Sequence, residues 1–338
     1  VTPDEFPAAL PKAELHVHLL GSASPGTVAE LARRHPGRGV PAEPAEVAKY
    51  CEFTDFAHFL AVYTAVNRVV TTGADIEALV AGLAADLARD NVRYAEVTVT
   101  PLSHRKAGIA PRELAEALGS GRRIARGLGV ELSWVFDVSG DDGPPGAEAT
   151  LDWVLRESPS GTVGFGLGGP EAGVPRRLFR DVFARAKAAG LHSVPHAGET
   201  TGPDEVWSAV RDLGAERVGH GIASARDPRL LRHLADHGIT LEICPTSNLR
   251  TRAVPSLAEH PLRRILAAGV PVALGTDDPG LFGTSPNAEF RTCRDRLGLS
   301  EAELATLVRH SVAAAFCAPE VAAGLLGDLD RLVLARSI

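Results

Sequence analysis

Eight short apolar runs, each followed by a longer stretch of helical periodicity, set the fold open to this chain. The runs are residues 14–20, 92–100, 131–138, 162–167, 192–197, 217–222, 240–244 and 272–276. Amphipathic stretches lie between them at residues 111–127, 175–189, 204–213, 228–237 and 260–268. Several helical signals come with punctuation, such as Ser24-Pro25 at a start and Gly190, Gly214, Gly238 and Gly269 at ends. Strand followed by helix eight times predicts an α/β chain, a (β/α)8 TIM barrel. An open doubly wound sheet shares the alternation, but Gly21-Ser22-Ala23-Ser24 is too short a loop for its glycine fingerprint. The long first gap is read as a helical lid insertion at about residues 36–72, and extra helices are expected at the C-terminal end. Within the insertion, Phe53, Phe56, Phe59 and Tyr63 read either as one helix's core-facing stripe or as an apolar lid over the barrel mouth. No low-complexity linker divides residues 1–338, which read as a single domain.

Composition narrows the function classes. With 42 acids against 35 bases the net charge is −7, which argues against a dedicated nucleic-acid binder. No run reaches 18 uninterrupted apolar residues, so no membrane span is expected. The opening Val1-Thr2-Pro3-Asp4-Glu5 lacks the basic start and apolar core of a secretory signal. Cys51, Cys244, Cys293 and Cys317 are too scattered for a disulfide framework, which makes a reducing cytoplasm the expected compartment. Nothing in the sequence speaks to oligomeric state.

Polar residues gather where the runs end. In His16-Val17-His18 two imidazoles at i and i+2 project from one face of a strand. The fifth run ends in His196-Ala197-Gly198-Glu199, the sixth carries His220, and the eighth ends in Thr276-Asp277-Asp278-Pro279. In a barrel, the C-terminal strand ends build the active site. Three imidazoles and a carboxylate can hold one Zn²⁺ with a position left for water. The fourth run, Val163-Gly164-Phe165-Gly166-Leu167-Gly168-Gly169, offers no bridging lysine or carboxylate, so one metal per chain is expected. His233, His237 and His310 sit on helices among charged neighbours and read as solvated.

These residues carry a family resemblance. Residues 11–18 (PKAELHVH), His196-Ala197-Gly198-Glu199, Gly219-His220-Gly221, Cys244-Pro245-Thr246-Ser247-Asn248 and Thr276-Asp277-Asp278-Pro279 together resemble the adenosine deaminase family, in order along most of the chain. The resemblance implies a distorted TIM barrel, one zinc and hydrolytic loss of ammonia from C6 of a 6-aminopurine nucleoside. By position, His16, His18, His196 and Asp277 match the metal ligands, with Asp277 also counted among the catalytic groups. Glu199 matches the acid at purine N1, and His220 the group that orients or deprotonates the attacking water. Asp278 matches the partner of N7 and Gly169 the backbone donor to N3, while Phe56 and Phe59 fall in the lid. A small-molecule nucleoside is the only partner implied. A second reading of Asp278, as a carboxylate that only caps the turn after it, stays open.

Two departures stand out. Leu20 occupies the position where the family usually has an acid that meets the ribose 5′-hydroxyl, and Thr98 stands where arginine is common. Leucine cannot accept a hydrogen bond, and leaving a buried hydroxyl without one costs about 1–3 kcal/mol. An apolar or aromatic 5′ substituent suits it better. The chain is similar to the actinobacterial branch of the family that acts on 6-amino-6-deoxyfutalosine, which bears an aryl ketone there, in menaquinone biosynthesis. Adenosine or deoxyadenosine remains the alternative substrate, and a non-catalytic purine binder the alternative class.

Overall fold

The computed structural model describes residues 5–336; residues 1–4 of the opening segment lie outside them. The eight strands are β1 (Lys12–His18), β2 (Val92–Val99), β3 (Glu131–Ser139), β4 (Thr162–Gly168), β5 (His192–Ala197), β6 (Arg217–His220), β7 (Thr240–Ile243) and β8 (Val272–Leu274). They follow one another in sequence order in one parallel sheet. The sheet comes round on itself at Asp277, which bridges to Val17, donates its N–H to the carbonyl of His16 at 2.8 Å and accepts the N–H of His18 at 2.8 Å. This is a (β/α)8 barrel, and the open doubly wound alternative is excluded.

β6 and β8 are shorter than the apolar runs that announce them. His220 (φ 58°) and Asp277 (φ 65°) turn into the left-handed region, which L-residues rarely occupy; the chain leaves β6 at His220, whereas Asp277 lies beyond the end of β8 and rejoins the sheet through its bridge to Val17. The expected helix at residues 175–189 divides into a 3-10 turn, Arg176–Phe179, and a helix, Arg180–Ala188.

Between β1 and β2 lie the helices Pro25–Arg34, Pro44–Tyr50, Phe56–Asn67 and Gly73–Arg89. Ser24 caps the first by accepting the Thr27 N–H. Asp55 caps the third by accepting from His58, so Phe53 falls before that helix and not on its stripe. The aromatic residues divide between core packing and the cavity wall. Phe59 packs against Phe53 and Phe282 with ring centroids 5.3 and 5.0 Å away, and with Phe56 and Tyr63 it also lines the cavity over the barrel's C-terminal end. The helices Pro286–Asp295, Glu301–Ala314 and Pro319–Arg336 complete the chain. No helix among the described residues is long and apolar enough to cross a membrane. His233 and His310 are half-buried and not simply solvated; His310 accepts the Val272 N–H at the start of β8.

Candidate active site

The cavity measures about 640 Å³, within the range of small-molecule sites. His18, His196, His220, Asp277 and Asp278 line its floor, and all are largely or fully buried. Strand ends place them: β1 supplies His16 and His18 on one face, β5 His196, β6 His220, and the segment after β8 the two aspartates.

Ring nitrogens converge there. His196 Nε2 lies 3.1 Å from His16 Nε2 and 3.2 Å from His18 Nε2. Asp277 Oδ1 lies 3.4 Å from His16 Nε2 and 3.3 Å from His18 Nε2. A tetrahedral ion bound at about 2.0–2.1 Å would set its ligands roughly 3.3–3.4 Å apart. The donor set therefore fits a divalent metal such as zinc. His16, His196, His220 and Asp277 also offer atoms within 4.8 Å of one another. His220 stands farther out, with its Nε2 3.8 Å from Asp277 Oδ2 and 3.7 Å from Glu199 Oε2. The two oxygens of Asp277 thus face different ways: Oδ1 toward His16 and His18, Oδ2 toward His220 and the Ser247 hydroxyl, which donates to it at 2.6 Å.

Behind this floor the barrel interior is charged. Glu242 Oε2 lies 2.9 Å from His16 Nδ1, which donates to it and leaves Nε2 free as a ligand. Arg217 balances that carboxylate through a 2.6 Å bond and also pairs with Glu96. All three are at most 2% exposed, so each charge depends on its partner.

Glu199 Oε1 accepts from the Thr251 hydroxyl at 2.8 Å. Burial, reinforced by the Asp277 carboxylate, pushes Glu199 up to about 8, so it is a protonated acid at neutral pH. Asp278 is 3% exposed and makes no cap bond to the turn it precedes, while its Oδ1 has no hydrogen-bond partner. The capping role for Asp278 is therefore excluded. Burial and the neighbouring Asp277 hold its carboxyl far above the usual range, in the form that can donate to a ring nitrogen. Gly169 has φ 71°, and a Cβ there would stand 2.2 Å from Ser139 Oγ; its backbone lines the cavity.

Leu20 is placed elsewhere. It is 3% exposed in the apolar core and faces a minor void shared with Tyr63, Asn67 and Thr98, outside the cavity lining. Sequence reasoning missed Glu171, Glu242 and Thr251, and held Asn248 only inside a motif with no role given to it. Glu242 and Asn248 lie at or just beyond the C-terminal end of β7, and that position was the available signal; Glu171 had none.

Comparison with known proteins agrees with this architecture. The family model described as adenosine deaminase matches residues 11–332. A protein of Streptomyces avermitilis named aminodeoxyfutalosine deaminase is 50% identical over 328 residues, covering 96% of this chain and 92% of the relative. The crystal structure of an adenine deaminase from Arthrobacter aurescens superposes with a TM-score of 0.90 at 31% identity, covering 96% of this chain and 99% of the other. An amidohydrolase of Burkholderia ambifaria, solved with bound Zn, gives a TM-score of 0.90 at 27% identity, covering 99% and 95%.

Proposed function

The chain belongs to the adenosine deaminase family and is a deaminating hydrolase, and from that premise we propose that it releases ammonia from C6 of a 6-aminopurine nucleoside at a single zinc, with 6-amino-6-deoxyfutalosine as the substrate. The observation that carries the reaction is the approach of the buried Glu199 carboxyl to His220 at 3.7 Å beside the convergent His16, His18, His196 and Asp277.

Zinc held by those four side chains would supply the acidification that lets water attack near neutral pH. The protein's own groups do the rest. Attack at C6 breaks the ring's aromaticity, and N1 must gain a proton as C6 becomes tetrahedral; Glu199 gives it, and of the water's two protons one restores Glu199 and the other goes to the amine, which leaves as ammonia. His220, between Glu199 and Asp277 Oδ2, faces the attacking water. Asp278 holds N7 and the Gly169 backbone holds N3, which together fix the ring face toward the water.

The finer substrate reading is supported by the relative bearing that substrate's name and by the cavity's outer part. Phe56, Phe59, Leu60 and Tyr63 offer an aromatic and aliphatic wall for an aryl extension. Leu20 lies behind Tyr63 in the core, so it bears on the 5′ end by withholding an acceptor and not by touching the cavity. The deciding experiment compares kcat/KM for adenosine, deoxyadenosine, adenine and aminodeoxyfutalosine. A preference of ten-fold or more for the last, about 1.4 kcal/mol of differential binding, is expected. Equal turnover of adenosine would return the enzyme to general purine salvage.

A further inference from the structure

A buried chain of four groups runs from a backbone amide to the floor of the cavity. The Leu262 N–H donates to His260 Nδ1 at 3.2 Å, His260 Nε2 lies 3.2 Å from Asn248 Oδ1, and Asn248 Nδ2 lies 3.2 Å from His220 Nδ1. Asn248 is fully buried, and His260 and His220 are 6% and 1% exposed, so water does not compete for these bonds. A backbone N–H can only donate. His260 Nδ1 must therefore be the lone-pair nitrogen, which puts the ring's proton on Nε2. That N–H needs an acceptor, and only the amide oxygen of Asn248 serves. Turning the amide over would set its NH2 against the His260 N–H, two donors face to face. The amide nitrogen is thereby committed to His220 Nδ1, which must accept.

We propose that Asn248 and His260 are positioning residues that hold His220 in the Nε2–H form, so that His220 meets the attacking water as a hydrogen-bond donor and does not remove its proton. The Nε2–H points into the cavity toward Glu199 Oε2 and Asp277 Oδ2, at 3.7 and 3.8 Å, where an oxygen atom bridging these groups would receive it. This assigns direction to a contact whose two readings, orienting the water or deprotonating it, have opposite proton placements. It rests on the water-facing position of His220 proposed above.

The test joins a spectroscopic readout to kinetics on the zinc-loaded enzyme. With ¹⁵N-labelled histidine, His220 is expected to show a protonated Nε2 and a lone-pair Nδ1; protonation at Nδ1 in the native enzyme would overturn the proposal whatever the substrate proves to be. Asn248→Asp keeps the shape and the acceptor for His260 but turns the group facing His220 from donor to acceptor. It should move the His220 proton to Nδ1 and lower kcat by about 100-fold or more, with KM and zinc content near native. Asn248→Ala removes the constraint without reversing it and should cost less than Asn248→Asp. A His220 proton moved to Nδ1 in Asn248→Asp with undiminished kcat would also overturn the proposal. The NMR arm does not depend on turnover, so its failure is distinct from a failure of the deaminase substrate reading.

Discussion

The carboxylate of Glu171 accepts the backbone N–H of Glu199 at 3.0 Å, so one acid fixes the main chain that presents another. It also accepts from the Gly198 N–H at 2.9 Å and from the Thr201 hydroxyl. A carboxylate suits three converging donors because it carries only acceptors. Glu171→Gln turns an NH2 toward them. The expected result is a fall in kcat of about 10–100-fold, the scale of a misplaced catalytic group, with metal content unchanged. Native kcat in that variant would show that the loop holds Glu199 without it.

Glu199→Gln retains shape and loses the acid. It should lower kcat by about 10²–10⁴-fold while zinc stays bound. The pH profile gives the sign. Burial raises the carboxyl to about 8, so the active protonated form is present below that pH and lost above it. Native kcat/KM should decline as pH rises through about 8, and the residual activity of Glu199→Gln should lack that limb. A limb that persists in the variant belongs to another group.

Gly21 gives up its side chain to Asp278. A Cβ on Gly21 would stand 1.6 Å from Asp278 Oδ1, closer than any contact allows. Gly21→Ala should displace Asp278 and raise KM for nucleoside by ten-fold or more with little change in zinc content. An unaltered KM would mean that Asp278 does not hold the substrate.

Metal analysis should find about one zinc per chain, as a single site of this donor set requires. His196→Ala should lose both metal and activity. Glu242→Gln should keep activity at saturating zinc but weaken zinc affinity by about 10–100-fold, because Glu242 orients His16 from behind. Two tightly held metals per active chain would contradict the single-site reading.

Leu20→Asp tests burial as much as substrate choice. The side chain is 3% exposed among apolar neighbours, so the introduced carboxylate would lose its hydration without a cationic partner. Unfolding in urea should show a loss of stability of about 3 kcal/mol or more. A midpoint equal to the native protein's would place Leu20 within reach of water or of the cavity.

Much of the scaffold was legible because its signals are local. Ser24 ahead of Pro25 marks a helix start by its own hydroxyl, and the run 192–197 is a strand from end to end. His16 and His18 share a face because a strand alternates every residue. The shortened β6 was not legible: nothing in Val218-Gly219-His220-Gly221 announces that His220 itself takes φ 58°. Phe53 was misplaced on the helical stripe because periodicity ran past a cap that Asp55 supplies.

The sequence by itself determined the alternation of strand and helix, and with it a barrel whose strand ends carry histidines and carboxylates. Which of those groups meet was decided by closure of the cylinder. Only when the segment after β8 bridges to Val17 does Asp277 come between His16 and His18 and turn its two oxygens to different partners. The tertiary fold also buries Asp278 with its Oδ1 unpartnered, puts Leu20 in the core, and lines up Leu262, His260 and Asn248 behind His220. Periodicity is a property of neighbours along the chain, whereas proton placement and carboxylate charge depend on burial and on partners brought together through space.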